Sequence, residues 1–190
     1  MNRKLLVMGC ALVFWLFNPL PLWAVTTSGS INATLTLTNG CLINGNPASS
    51  NANFGTLNFG VSPATFDTLN ATLTGATGSG IRIRCSNGAT YTVQITGSNS
   101  APGTIYGAQS ASPRYLILNN DTTQGIAYTL YSDAAYNNPI TNNANLIASG
   151  TSDPVNGTIF PVYGRITQGG NNTAIPAGTY TDVINVQVVY

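Results

Sequence analysis

Apolar and polar residues alternate along much of this chain with a period of two, the mark of strands that bury one face. The cleanest case comes early. In residues 30–39, Ser-Ile-Asn-Ala-Thr-Leu-Thr-Leu-Thr-Asn, the side chains of Ile31, Ala33, Leu35 and Leu37 share one side; Asn32, Thr34, Thr36 and Thr38 take the other. Leu69, Ala71 and Leu73 share a face in residues 69–74. In residues 81–85, Ile81, Ile83 and Cys85 point one way and Arg82 and Arg84 the other. Ser86-Asn87-Gly88-Ala89 reads as a hairpin turn into 91–96, where Tyr91, Val93 and Ile95 align. Residues 97–113 are small and polar and predict a loop. Residues 114–119 are apolar on both faces and predict a central strand; residues 126–131 predict another. Residues 159–166 predict one strand, which Pro161 places at an edge or a bulge. A last strand is expected over 179–190, with Tyr180, Ile184, Val186, Val188 and Tyr190 in step. After residue 24 no helical period of useful length follows. Short strands between regular turn signals predict an all-β, immunoglobulin-like antiparallel sandwich.

The first 24 residues follow a different rule. Arg3 and Lys4 precede an apolar run over residues 5–17, and Leu22-Trp23-Ala24 ends on a small residue. That is the layout of a cleaved signal peptide. The apolar run is shorter than the roughly 20 residues a spanning helix needs, and Asn18, Pro19 and Pro21 interrupt it. Residues 25–190 are therefore expected to be exported, residues 25–40 as an amino-terminal extension and 41–190 as one β-domain.

Charge narrows the chemistry. Beyond residue 24 the chain has four arginines, five aspartates and no Lys, Glu or His, a net charge of −1. Such a balance draws neither nucleic acid nor an anionic membrane. Without His, Ser-His-Asp and Cys-His catalysis are excluded and the commonest metal ligand is missing. The aspartates sit in no acid/base motif, so no enzyme, no cofactor and no metal site is expected. Two cysteines remain, Cys41 and Cys85, and an exported chain with two cysteines is expected to join them.

Residues 30–39 lie outside the loop that this bridge would close, and the last strand is expected to leave its far edge bare. A bare apolar edge is an aggregation hazard. One solution pairs the first strand with the last inside the molecule. The other passes the first strand to the next molecule, as in donor-strand complementation. That contact is head-to-tail and grows a filament.

Several stretches, in order, resemble the spore coat protein U domain family, which includes subunits of archaic chaperone–usher pili. They are the alternating strand leading into Asn39-Gly40-Cys41, Phe54-Gly55, and Ile81-Arg82-Ile83-Arg84-Cys85-Ser86-Asn87-Gly88 with Tyr91-Thr92-Val93. Further on come residues 126–133 (Ile-Ala-Tyr-Thr-Leu-Tyr-Ser-Asp), 162–166 (Val-Tyr-Gly-Arg-Ile) and 176–182 (Pro-Ala-Gly-Thr-Tyr-Thr-Asp). The resemblance implies a sandwich that lacks its last strand. It implies a periplasmic chaperone that lends one, and an outer-membrane usher that exchanges it for the next subunit's amino-terminal strand. It casts Ile31, Ala33, Leu35 and Leu37 as donor residues for a neighbouring pilus subunit, and Ile184, Val186 and Val188 as one wall of an acceptor groove. It matches Cys41 and Cys85 to the family's disulfide. The implied role is a shaft or adaptor subunit, not a tip adhesin, of a surface pilus serving attachment and biofilm formation. Membrane contact would be only transient, at the usher.

Two other readings stay open at this stage: a surface or spore-coat protein that does not polymerise, and a carbohydrate-binding module in which the scattered tyrosines stack on sugars. Tyrosines spread through strands more often form core or half-buried pairs.

Overall fold

The computed structural model describes residues 25–38, 40–47, 52–86, 89–168 and 174–190. The expected signal peptide, residues 1–24, lies outside them, as do Asn39 and the Asn87-Gly88 pair. The chain divides into two units, residues 1–37 and 38–190. In the first, residues 25–37 carry no strand pairing, and their side chains are exposed. Ile31 is 97 % exposed, Leu35 80 % and Leu37 83 %.

The second unit is built from strands, and no α-helix occurs among its described residues. In chain order they are β1 (Cys41–Ile43), β2 (Asn46–Pro47), β3 (Thr56–Leu57), β4 (Thr68–Gly75) and β5 (Gly78–Ser79). Next come β6 (Ile81–Cys85), β7 (Thr92–Gly97), β8 (Thr104–Tyr106), β9 (Arg114–Leu118) and β10 (Asp121–Tyr131). The last are β11 (Ser149–Asp153), β12 (Gly157–Phe160), β13 (Tyr163–Thr167), β14 (Tyr180–Thr181) and β15 (Asn185–Val189). One sheet is ordered β11-β12-β6-β1-β2 and a second β14-β9-β10-β13-β4-β3; β15 pairs with β7 alone.

The alternation read from the sequence decides what lies inside. Ile43, Ile81, Ile83 and Phe160 come from the first sheet, Leu73, Tyr128, Leu130 and Ile166 from the second, and Val93 and Ile95 from β7. All pack into one core, so the sheets face each other as a sandwich. Ile81, Ile83 and Leu130 have no exposed surface, and fully burying a side chain of that size contributes about 1.5–3 kcal/mol. Between β9 and β10 the turn uses Asn119 and Asn120 at φ +47° and +63°, a left-handed pair that Asn tolerates well. Cys41 lies directly opposite Cys85 in the β1–β6 ladder, and the two are joined.

Several expected elements are drawn differently. Residues 81–85 and 91–96 do not form a hairpin, because β6 pairs with β1 and β12 while β7 pairs with β15. The connection crosses from sheet to sheet, a step that alternation cannot register because both strands bury one face. Residues 159–166 are two strands, not one. Pro161 and Val162 carry the chain from β12 in one sheet to β13 in the other, where β13 lies between β10 and β4 and not at an edge. Residues 179–190 likewise divide into β14, on β9, and β15, on β7. The polar 97–113 segment contains a short strand after all, β8, parallel to β10.

Candidate functional site

Along one side the sandwich is open. β15 is bonded to β7 on one edge, and no described strand occupies its other edge. β3 ends the second sheet in the same way. Between these two edges lies a cleft of about 390 Å³ that reaches the core.

One wall is residues 182–186, with Ile184 and Val186 turned inward; Val188, also half-buried, continues the row against the core. The other wall is residues 52–59, where Phe54, Leu57 and Phe59 supply the apolar surface. The floor is Leu73, Ile81, Ile95, Leu116, Tyr128 and Val162. Two glycines let the second wall sit close. At Gly55, φ is +122° and a Cβ would lie 2.5 Å from the Thr74 carbonyl oxygen, so no other residue fits. At Gly164, in β13, a Cβ would lie 2.7 Å from both Leu57 Cδ2 and Phe59 Cζ.

The two ends of the cleft differ in character. Near Asp182 the floor is aromatic, with Phe59 edge-on to Tyr128 at 5.8 Å between ring centroids. The Tyr128 hydroxyl donates to Asp182 Oδ2 at 2.6 Å, and the Asn99 backbone N–H donates to Oδ1 at 2.8 Å. Burial first, then the Asp182 carboxylate, push the Tyr128 phenol far above its ordinary pKa, so it remains a donor at any physiological pH. Arg114, opposite Tyr128 in the β9–β10 ladder, is 3 % exposed, and its Nε and Nη1 have no hydrogen-bond partner. Burial draws the pKa of its guanidinium down, and Tyr128 and Asp182 oppose that shift. Toward Val186 the lining is aliphatic, with Ile95 opposite Val186 in the ladder.

This arrangement lends itself to binding. Its surface is mostly apolar, its one charged lining group is already satisfied, and its two edges leave main-chain N–H and C=O groups free to pair with an extended chain. Among the described residues no cluster of His, Cys, Asp or Glu could hold a metal ion. Ile184, just before β15, and Val186 within it line the cleft, and Val188 follows two residues on in the same strand. The wall of Phe54, Leu57 and Phe59 was not anticipated, although its mixture of large apolar residues and glycine offered a signal. Arg82 and Arg84 donate to the carbonyls of Asn156 and Val155 and tie down the β11–β12 turn.

Comparison with known proteins gives three findings. A family model, the Spore Coat Protein U domain, matches residues 27–187. No curated protein matches the sequence significantly. Among solved structures, a similar chain occurs in the CsuC-CsuE chaperone–tip adhesion subunit pre-assembly complex from the archaic chaperone–usher Csu pili of Acinetobacter baumannii. It is 21 % identical with a TM-score of 0.46; the match covers 82 % of the present chain but 40 % of that one.

Proposed function

The chain belongs to the spore coat protein U domain family, and from that premise we propose that it is a structural subunit of a secreted chaperone–usher pilus. Subunits join by donor-strand complementation. Ile31, Ala33, Leu35 and Leu37 of one molecule lie in the cleft of the next, between the wall of Ile184, Val186 and Val188 and the wall of Phe54, Leu57 and Phe59. A periplasmic chaperone covers the cleft until an outer-membrane usher exchanges its strand for the donor. A molecule that donates a strand belongs in the shaft or at an adaptor position, and the finished fibre serves surface attachment and biofilm formation. The role is structural, not catalytic.

One observation carries this reading: an open, core-deep apolar cleft between two unpaired strand edges, in a chain that also exposes an alternating apolar row. Burying Ile31, Leu35 and Leu37 would contribute about 5–9 kcal/mol before ordering costs, and each main-chain hydrogen bond about 1 kcal/mol more. Leu35→Asp tests it. The variant should keep its fold by circular dichroism, keep its disulfide, and fail to polymerise. Loss of the fold would show that residues 30–38 are an internal strand instead.

A further inference from the structure

We propose that the outer face of the first sheet carries a binding site for a neutral saccharide, in a polar hollow framed by β11, β12 and β6. The hollow shares no lining residue with the cleft, so the site stands or falls apart from the donor reading.

The hollow opens because two neighbouring strands are out of step. β11 meets β12 at two ladder positions, Ser149 opposite Ile159 and Asp153 opposite Gly157. Between those positions β11 takes four steps while β12 takes two. Residues 150–152 have no ladder partner in β12 and bow out of the sheet, with Gly150 at φ +75°. On β12, Gly157 has no side chain to refill the space. Its φ is +77°, and a Cβ there would strike the Ile83 carbonyl oxygen, so no other residue fits. The result is a cavity of about 400 Å³, within the size range of small-molecule sites.

Its rim is held without a ligand. Asp153 Oδ1 accepts the N–H groups of Val155 at 2.7 Å and Asn156 at 3.1 Å, and Oδ2 accepts the Asn156 side-chain amide at 2.7 Å. From β6, Arg82 Nη1 donates to the Asn156 carbonyl at 3.0 Å, and Arg84 Nη1 donates to the Val155 carbonyl at 2.6 Å. The turn is clamped from two sides. A ligand there meets groups already in place, which lowers the ordering cost of binding.

The chemistry of the lining selects the ligand. Arg82 and Asp153 line the hollow together, and their charges cancel. A phosphate or carboxylate drawn to Arg82 would also face Asp153, and a cation would meet the reverse. The described lining contains no aromatic residue, so stacked tyrosines play no part. What the hollow offers is capacity for hydroxyl groups. The bond to Asn156 uses one of the five N–H donors of the Arg82 guanidinium, and the three bonds to Asp153 use three of about four lone-pair positions on its carboxylate. Ser149 and Thr151 each add a hydroxyl that can donate and accept. Ile159, opposite Arg82 in the β6–β12 ladder, supplies an apolar patch. A sugar ring matches this mixture. Adjacent hydroxyls can bridge a guanidinium and a carboxylate, and the C–H face of the ring suits an aliphatic side chain. Hydrogen bonds to charged groups are the stronger kind, so Arg82 and Asp153 carry most of the affinity. Where copies are repeated along a fibre, one polysaccharide could span several such sites and gain by effective concentration.

The test uses the chain from residue 25 to residue 190 with maltotriose and mannotriose as probes. Saturation-transfer NMR reads the sugar's own signals and works whether the chain is a monomer or a polymer. At least one trisaccharide should show saturable transfer. Arg82→Gln should weaken it at least tenfold. Thr151→Val removes one exposed hydroxyl, leaves the clamp on the turn untouched, and should weaken binding about threefold; if Arg82→Gln loosens the turn, Thr151→Val decides alone. Sodium sulfate should not displace the sugar. Absence of saturable transfer with both probes would overturn the proposal. So would binding unchanged in the variants, which would put the sugar elsewhere on the molecule, or displacement by sulfate, which would make the hollow an anion site. Because the cleft takes no part, a failure to polymerise leaves all these results unchanged.

Discussion

Two margins of the same β-domain are finished in opposite ways. At the Cys41–Cys85 margin every device of closure is present: a ladder, a covalent bond, and side-chain caps from Ser86 and Asn44. At the β15 margin there is a single ladder to β7, and then an apolar cleft down to Tyr128 and Ile81. Both margins draw on aliphatic side chains, Leu42, Ile43, Ile81 and Ile83 at one and Val93, Ile95, Val186 and Val188 at the other. The difference lies in what stands next to them. The lesson is that openness here is local: one margin is rigid enough for the other to stay unfilled.

The sharpest way to break the contrast is to loosen the closed margin. Replacing both Cys41 and Cys85 by Ser releases a loop whose ends are 44 residues apart and should cost about 4 kcal/mol, read by denaturant titration. A loss below about 1 kcal/mol would mean that the noncovalent caps suffice. A smaller effect is expected from deforming the open margin. Gly164→Ala puts a methyl group where Leu57 and Phe59 now lie. Stability should fall by about 1–3 kcal/mol, and affinity for the 25–38 peptide should fall about tenfold as the displaced side chains narrow the cleft. Unchanged peptide binding would remove Leu57 and Phe59 from the wall.

The smallest effect belongs to neither margin and serves as a control. In the β11–β12 turn, the Asn156 side-chain amide, with the N–H groups of Asn156 and Val155, holds the Asp153 carboxyl below its ordinary value of 3.8. A lowered carboxyl stabilises the folded state above that ordinary value, and the contribution is lost as pH falls through the lower folded one. The protection factors of the Val155 and Asn156 amides, which divide out the intrinsic pH dependence of exchange, should therefore fall only in that acid range, and Asp153→Asn should abolish that step. Peptide binding should not respond.

Much of this was legible in the sequence, and for a plain reason. Alternation reports which face is buried, so Ile81, Ile83, Val93, Ile95, Ile184 and Val186 were oriented correctly without knowledge of the sheet they join. Alternation does not report sheet identity. The crossing at Pro161-Val162 keeps Phe160, Val162 and Ile166 in phase, and at residues 182–184 a single polar residue, Asp182, interrupts the phase that Tyr180 and Ile184 share, so two strands in different sheets read as one. β11, Ser149–Asp153, has no apolar residue and left no trace. The cleft was half legible. Its β15 wall follows the rhythm, whereas its other wall depends on Gly55 and Gly164, whose role is to be small beside Thr74, Leu57 and Phe59 and is visible only in space.

The exposed arm has one more consequence, for proteolysis. Residues 25–38 contain no Lys or Arg, so a trypsin-like protease has no bond to cut there. Of the four arginines that follow, Arg114 is buried, Arg82 and Arg84 are tied to carbonyls, and Arg165 stacks 4.5 Å above the Tyr136 ring. The vulnerable bonds of the free arm are instead those beside Leu35 and Leu37, open to enzymes that cleave after aliphatic residues. Those are the side chains that a neighbour would bury. On the proposed donor reading, joining a fibre and becoming resistant to digestion would be a single event, and an unassembled molecule would be marked for removal by the same residues that would have secured it.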